Sequence, residues 1–195
     1  SDGDPVGYIA DKSGNGRHLI QATSGNRPLY KTGGGLHWLL FDGSNDELSR
    51  ASPALTDNMS YYCAVSPGTG ESQWMLAYST LADLTYYFGV VQANGGAADS
   101  NAGSPTYRVN GAASAGSTRQ GLIDLMPAES VGMVTTESLN LDPAGTGWDN
   151  GFTIGSYDAF DFAGKWYGGI IIADQVSGVR AQLETWMGAN AGLTI

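Results

Sequence analysis

The chain has 195 residues, enough for one sizeable hydrophobic core and within the range of a single all-β domain. Its net charge is −10, with 9 Lys plus Arg against 19 Asp plus Glu and no basic cluster. This charge argues against binding to nucleic acid and against binding to an anionic membrane surface. The 29 Gly indicate many turns, while the 42% hydrophobic content indicates a folded rather than a disordered chain.

The first third of the chain alternates short apolar runs with turn sequences. We predict a strand at 6–10, a turn at 11–16 and a second apolar run at Leu19 and Ile20. Pro28 cannot donate to a strand ladder, so the following Leu29-Tyr30 is predicted to lie at a sheet edge. The run Gly33-Gly34-Gly35 is predicted to turn the chain into the next strand.

The rest of the chain offers more strand candidates, each bounded by turn residues. Side chains alternate along a strand. In 36–41, Leu39 and Phe41 should therefore share one face, and Trp38 and Leu40 should share the other. We predict these strands at 36–41, 59–66, 73–79, 84–92, 107–111, 121–126, 130–137, 152–155 and 165–173.

One helix is predicted near the C-terminus, from Ser177 or Gly178 to about Asn190, with Gly192 as its stop. We expect this helix to pack against the strands rather than to carry chemistry. The side chains that recur at helical spacing, and would form its buried face, are Val179, Leu183, Trp186 and Met187.

Cys63 is the only cysteine, so no intramolecular disulfide is available. It lies in a strand-like run and is predicted to be a buried structural thiol. No apolar run is long enough to span a membrane. Because the chain opens on Ser1 rather than Met, we expect a fragment or a processed form of something longer.

Six motifs occur in order along the chain. They are DKSGNGRH at 11–18, RPLY at 27–30, LHWLLFDGSNDEL at 36–48, YRVNG at 107–111, GFTIGS at 151–156 and FAGKWYGGIIIAD at 162–174. In these motifs the chain resembles the concanavalin A-like lectin/glucanase superfamily, and more closely its laminin-G-like jelly-roll domains. The resemblance implies one domain over 1–195, an antiparallel jelly-roll β-sandwich of two sheets with a C-terminal helix.

A narrower resemblance concerns the two ends of the chain. The opening DPVGYIADKSGNGRHLIQAT at 4–23 and the closing RAQLETWMGANAGL at 180–193 are similar to bacteriophage and prophage structural proteins, including tail-associated ones. The resemblance implies a virion protein that folds in the bacterial cytoplasm and acts outside the cell. It also implies a homo-oligomer that contacts other virion proteins. The missing cysteine pairs agree with folding in a reducing compartment.

Catalytic motifs of sandwich enzymes are missing from the sequence. The five Glu are not arranged with Asp as E-x-D-x-E, the pattern that places paired carboxylates on one strand face. A Gln-x-His strand and a G-x-S-x-G elbow are absent too, and His18 and His37 are interpreted as structural or surface residues. One Cys and two scattered His do not predict a zinc site.

The acidic turn after 36–41 has two interpretations. Asp42, Asn45 and Asp46 place oxygen ligands within one turn, as a Ca²⁺ site requires. The same Asp-Gly-Ser-Asn-Asp sequence is also simply good turn chemistry, which is the favoured interpretation. Asp11 and Asn15 are interpreted as turn residues on the same ground.

A glycan site needs aromatic faces for the apolar side of a sugar ring and polar groups for its hydroxyls. Trp148, Asp149 and Asn150 supply both within a Gly-rich loop, although Trp148 would serve equally as an aromatic plug at the end of the sandwich. Trp74 and Tyr86 are further candidates on a sheet face.

We therefore expect a non-catalytic, lectin-like virion module that binds bacterial surface polysaccharide. Two alternatives remain open. One is a structural, oligomerising virion domain without sugar binding, and the other is a polysaccharide-degrading enzyme with an atypical site.

Overall fold

The computed structural model describes ten segments of the chain. They are residues 1–50, 58–68, 77–81, 84–88, 106–113, 125–126, 130–140, 152–157, 160–173 and 178–195.

The described residues form strands, one short 3-10 turn at Ser24–Asn26 and one helix, α1, at Arg180–Asn190. The strands are β1 Tyr8–Ile9, β2 Leu19–Ile20, β3 Leu29–Gly33, β4 Leu36–Asp42, β5 Leu48–Arg50, β6 Asn58–Pro67, β7 Ala77–Leu81, β8 Leu84–Phe88, β9 Thr106–Val109, β10 Ala112–Ala113, β11 Gly132–Asn140, β12 Phe152–Ile154, β13 Ser156–Tyr157, β14 Phe160–Asp161 and β15 Ala163–Ala173.

These strands build two main antiparallel sheets. The large sheet has seven described strands in the order β10-β9-β11-β6-β15-β4-β3, and the small sheet has six in the order β1-β2-β5-β12-β7-β8. A separate short pair joins β13 to β14. The predicted all-β fold of two antiparallel sheets with a C-terminal helix is confirmed.

The main hydrophobic core lies between the two sheets. Leu39 and Phe41 of β4 point into it, as the alternation in the sequence predicted. Each large apolar side chain enclosed there contributes about 1.5–3 kcal/mol relative to an exposed one. Other enclosed members are Leu48, Tyr61, Cys63, Val65, Tyr107, Val109, Val134, Phe152 and Ile154.

Strand β6 is buried on both faces. Tyr61, Cys63 and Val65 face the small sheet, whereas Ala64 belongs to a second cluster under helix α1 with Met187. This double burial explains why every residue from 60 to 66 is buried. A strand covered on both faces reads as a continuous rather than an alternating apolar run, as YYCAV does. The buried thiol predicted for Cys63 is confirmed.

The predicted burial of helix α1 is wrong in part. Trp186 is 57% exposed and Val179, just before the helix, is 39% exposed. Met187 is buried as predicted, and the other buried helix positions are Glu184 and Gly188. Glu184 can face the sheet because Thr135 Oγ1 donates to its Oε1 at 2.9 Å, so a polar side chain occupies the contact face.

The predicted helix stop is confirmed. The backbone N–H of Gly192 donates to the carbonyl of Ala189 at 3.1 Å, and that of Leu193 donates to Gly188 at 2.9 Å. This pair of hydrogen bonds is a Schellman motif, which satisfies carbonyls that the last turn of a helix otherwise leaves open.

Several predicted strands are shifted at their ends. Residues 73–76, 89–92 and 121–124 of the predicted strands lie outside the described residues, while Leu125 and Met126 form a turn and bend rather than a strand. The predicted strand 107–111 ends at Val109, and Asn110 and Gly111 turn the chain into the short strand β10.

Candidate functional site

The predicted glycan residues can be placed only in part. Trp74, Trp148, Asp149 and Asn150 lie outside the described residues. Tyr86 lies in β8, the last strand of the small sheet, where it pairs with Ser79 of β7. The structure therefore does not bring these candidates together into a described site.

The acidic turn after β4 is closed by its own side chains. Asp42 Oδ1 accepts hydrogen bonds from the backbone N–H groups of Ser44 at 2.8 Å and Asn45 at 3.4 Å. Asp46 Oδ2 accepts from the backbone N–H of Asp42 at 2.9 Å. These contacts agree with the turn interpretation of the sequence, because carboxylates that bond to nearby N–H groups stabilise loops.

Asp46 is the electrostatically unusual member of this turn. It is 5% exposed. Burial raises its pKa to about 6, the carboxylates of Asp42 and Asp161 add to the rise, and the hydrogen bond from the Asp42 backbone opposes it. Among the described residues, no group of three or more His, Cys, Asp or Glu side chains is arranged to hold a metal ion.

The turn after β1 is organised by Asp11. Its carboxylate accepts hydrogen bonds from the backbone N–H groups of Ser13 and Arg17 at 2.8 and 2.9 Å, and these bonds hold its pKa at about 2. His18 Nδ1 accepts from the Asp11 backbone N–H at 3.0 Å. His18 therefore has the structural role that the sequence indicated, with Nδ1 used as an acceptor.

A cavity of about 300 Å³ opens where the β3–β4 hairpin meets the end of helix α1. It is the candidate functional site, because it combines an aromatic wall with the polar residue Asn190 at the helix end. The residues that line it are Gly35, Leu36, His37, Tyr167, Ala189 and Asn190.

A β-bulge places Tyr167 at this cavity. The pairing of β15 with β6 shifts register between Trp166 and Gly168, so Tyr167 is an extra residue on β15. Gly168 has φ +145°, a conformation that L side chains rarely adopt. Trp166 points into the core, where its Nε1 donates to Tyr61 at 3.3 Å, while Tyr167 lies on the outer face of the large sheet.

Trp38 continues the aromatic surface from Tyr167. The two ring centroids are 5.9 Å apart and the rings are tilted by 47°. The Lys165 ammonium lies over the Trp38 ring, 5.0 Å from its centroid. Gly33 leaves space for this ring, since a Cβ there would lie 3.0 Å from Trp38. The Trp38 indole nitrogen is buried and has no hydrogen-bond partner within the described chain.

His37 forms the rim of the cavity at the start of β4. Tyr30 Oη and His37 Nδ1 are hydrogen-bonded at 2.7 Å, and their rings stack with centroids 5.9 Å apart. Both residues sit on the edge pair β3–β4. This bond orients the imidazole, which is exposed to solvent.

Sequence reasoning missed most of this site. The alternation in β4 placed Trp38 on the face away from the core, which was a usable signal. Nothing local in the sequence indicated that a bulge would turn Tyr167 outward, or that Asn190 would reach the same cavity from the helix end.

Comparisons with known proteins give no relative. No family model matches the chain, and no curated protein and no solved structure matches it. Within the described part of the chain, no helix has the length and apolar character needed to cross a membrane.

Proposed function

We propose that this protein is a non-catalytic, lectin-like module of a phage or prophage virion that binds a bacterial surface glycan. The observation that carries the proposal is the cavity beside α1, where Tyr167 and the adjoining Trp38 form a partly exposed aromatic surface next to Asn190 at the helix end. Aromatic faces stack on the apolar side of sugar rings, and amide groups hydrogen-bond to hydroxyls.

The structure of the cavity favours ligand binding over catalysis. It is open and lies between the hydrogen-bonded β3–β4 hairpin and the capped end of α1, so a sugar would meet a preformed surface. The described residues of its lining include no carboxylate pair of the kind that glycoside hydrolysis needs. A shallow site of this type binds weakly alone, and many copies on one particle would supply avidity.

A glycan array and a pull-down on host polysaccharide test the proposal. We expect wild-type protein to bind, and Tyr167→Ala to lose about tenfold in affinity, because one stacked aromatic ring contributes about 1–2 kcal/mol. Tyr8→Ala is the matched control, since Tyr8 is an exposed aromatic of β1 in the other sheet. Tyr8→Ala should bind like the wild type.

Three results would overturn the proposal. Binding to no glycan would do so, as would equal binding by wild type and Tyr167→Ala. Release of reducing or unsaturated ends from a bound polysaccharide would identify an enzyme instead.

A structural, oligomerising virion domain is the second candidate. Tyr8 and Ile20 lie directly opposite each other on the edge pair β1–β2 and are 53% and 51% exposed. Apolar side chains on an exposed sheet edge favour pairing with another chain. A stable oligomer that is lost in Ile20→Lys, without any glycan binding by the wild type, would favour this candidate.

A further inference from the structure

We infer that the glycan recognised at this cavity is acidic, with a uronic-acid type carboxylate held by Lys165. This inference rests on the proposed function and names its substrate class. The ammonium of Lys165 lies over Trp38, Trp38 contacts Tyr167, and Tyr167 lines the cavity. A sugar stacked on Tyr167 would therefore have a cation close to it.

The ammonium of Lys165 contacts an aromatic ring rather than a carboxylate or a carbonyl. No described carboxylate lies within ion-pairing distance of it, and its recorded contact is the neutral ring of Trp38. Other described cations that have partners include Arg27 with the carbonyls of Gln21 and Ala22, Arg50 with that of Gly16, Lys31 with Asp2, Arg108 with Glu137, and Arg180 with Glu137 and Glu184.

The position of Lys165 is set before any ligand arrives. It is partly buried on β15, opposite Leu40 of β4, and the ring beneath it limits where its ammonium can lie. An unrestrained lysine loses about 1–2 kcal/mol of rotamer freedom when it is fixed. Because the contact with Trp38 has already restricted the side chain, an arriving carboxylate would meet a smaller ordering cost.

The net charge of −10 does not oppose this inference at contact range. Salt screens exposed charges beyond about 8 Å at physiological ionic strength, so the local groups decide whether an anion binds. Lys31, which pairs with Trp38 across β3–β4, lies on the same face, and Asp2 offsets its charge at 3.3 Å. Lys165 is therefore the cation that remains for a ligand on this part of the sheet.

The experiment compares acidic polysaccharides with their carboxyl-reduced forms. The probes are polygalacturonate, alginate and hyaluronate, each titrated calorimetrically into the whole 195-residue chain before and after reduction of its carboxylates. We expect at least one acidic polymer to bind, and its reduced form to bind about tenfold or more weakly, because a charge-assisted hydrogen bond contributes about 1.5–3 kcal/mol. The affinity should also fall as salt is added.

Variants assign this selectivity to one residue. Lys165→Gln should lose about tenfold or more for the acidic polymer and show no further loss for the reduced one. Lys165→Arg should keep most of the binding because it keeps the charge. Lys12→Gln, which removes the same charge from an exposed turn, is the matched control and should bind like the wild type. Circular dichroism melting confirms that each variant is folded.

Two different failures can be told apart. If wild type binds acidic and reduced polymers equally, or if Lys165→Gln behaves like Lys12→Gln, the acidic specificity is overturned and glycan binding stands. If no polymer and no host polysaccharide binds, both the inference and the proposed function are overturned.

Discussion

At the scale of single residues, two acidic turns of similar sequence have opposite electrostatics. Asp11 lies near the surface, and backbone N–H donors hold its pKa at about 2. Asp46 is buried near two other carboxylates, which together with burial raise its pKa to about 6. Both belong to Asp-rich, Gly-rich turns in the sequence, so the difference comes from burial rather than from residue type.

Asp46→Asn should stabilise the protein at neutral pH. The folded-state pKa of about 6 lies above the ordinary value of 3.8, so folding takes up a proton between these values and stability falls as pH rises through that window. Asn keeps an acceptor for the Asp42 N–H and carries no charge. We expect a gain of about 1–2 kcal/mol at about pH 7, since one pKa unit corresponds to about 1.4 kcal/mol.

Urea unfolding at about pH 4 and about pH 7 measures this effect. The wild type should lose stability over that range relative to Asp46→Asn. Asp4→Asn removes the same charge from an exposed site and should change stability by less than about 0.5 kcal/mol. A loss of stability in Asp46→Asn at neutral pH would contradict the expectation.

Metal removal tests the alternative interpretation of the same turn. Because Asp42 and Asp46 bond to backbone N–H groups of their own turn, we expect neither EDTA nor added Ca²⁺ to move the melting temperature. A rise of several degrees with Ca²⁺ that is absent in Asp42→Asn would establish a calcium site there.

At the scale of elements, turns follow local sequence closely and helix burial does not. The β3–β4 hairpin turns at Gly34 and Gly35, with φ of +59° and +80°, as the run of three Gly predicted. Helix α1 was also located correctly, yet its buried face carries Glu184 while Trp186 is exposed. Periodicity cannot reveal that Thr135 on β11 would satisfy a carboxylate under the helix.

Gly35→Ala should destabilise the hairpin that forms the rim of the cavity. A Cβ at φ +80° costs about 1 kcal/mol even where space is free, as it is at this position. Gly25→Ala is the matched control, because a Cβ at Gly25 also meets open space and its backbone is not in the left-handed region. Thermal melting should separate the two variants by several degrees, and equal melting temperatures would contradict the assignment of the turn.

Glu184→Ala should destabilise the attachment of α1 to the large sheet. The change leaves the Thr135 hydroxyl buried without this acceptor and removes the carboxylate 3.8 Å from Arg180. We expect a loss of about 2–3 kcal/mol in chemical denaturation. Gln182→Ala, at an exposed position of the same helix, should change stability by less than about 0.5 kcal/mol. Comparable losses in the two variants would contradict a buried polar anchor.

At the scale of the whole molecule, β6 lies at the centre of three layers. The small sheet covers one face of the large sheet and α1 covers part of the other, so β6 is enclosed from both sides. Its neighbours β11 and β15 flank it within the sheet. Opening this strand to solvent therefore requires separation of layers rather than local fraying.

Cys63 provides a direct measure of that opening. The thiol is completely buried on β6, and burial raises its pKa well above the ordinary range, so the reactive thiolate is disfavoured in the folded state. We expect labelling by a disulfide reagent under native, mildly alkaline conditions to be slow and to speed up with denaturant in step with global unfolding. Rapid labelling of the native protein, at the rate of a denatured control, would contradict this central position.

The sequence by itself determined the local elements of this protein. Strand alternation placed Leu39 and Phe41 in the core, glycines located the β3–β4 turn, and Gly192 ended the helix. These features depend on conformational preferences and side-chain direction within a few residues, which are properties of the local chain.

Only the tertiary structure decided the candidate site and the unusual electrostatics. The bulge at Tyr167 depends on how β15 pairs with β6, and the cavity depends on where the helix end meets the hairpin. The raised pKa of Asp46 likewise depends on burial and on Asp161, far away in the sequence. Contacts between distant segments set these properties, and their energies are defined only once the layers have packed.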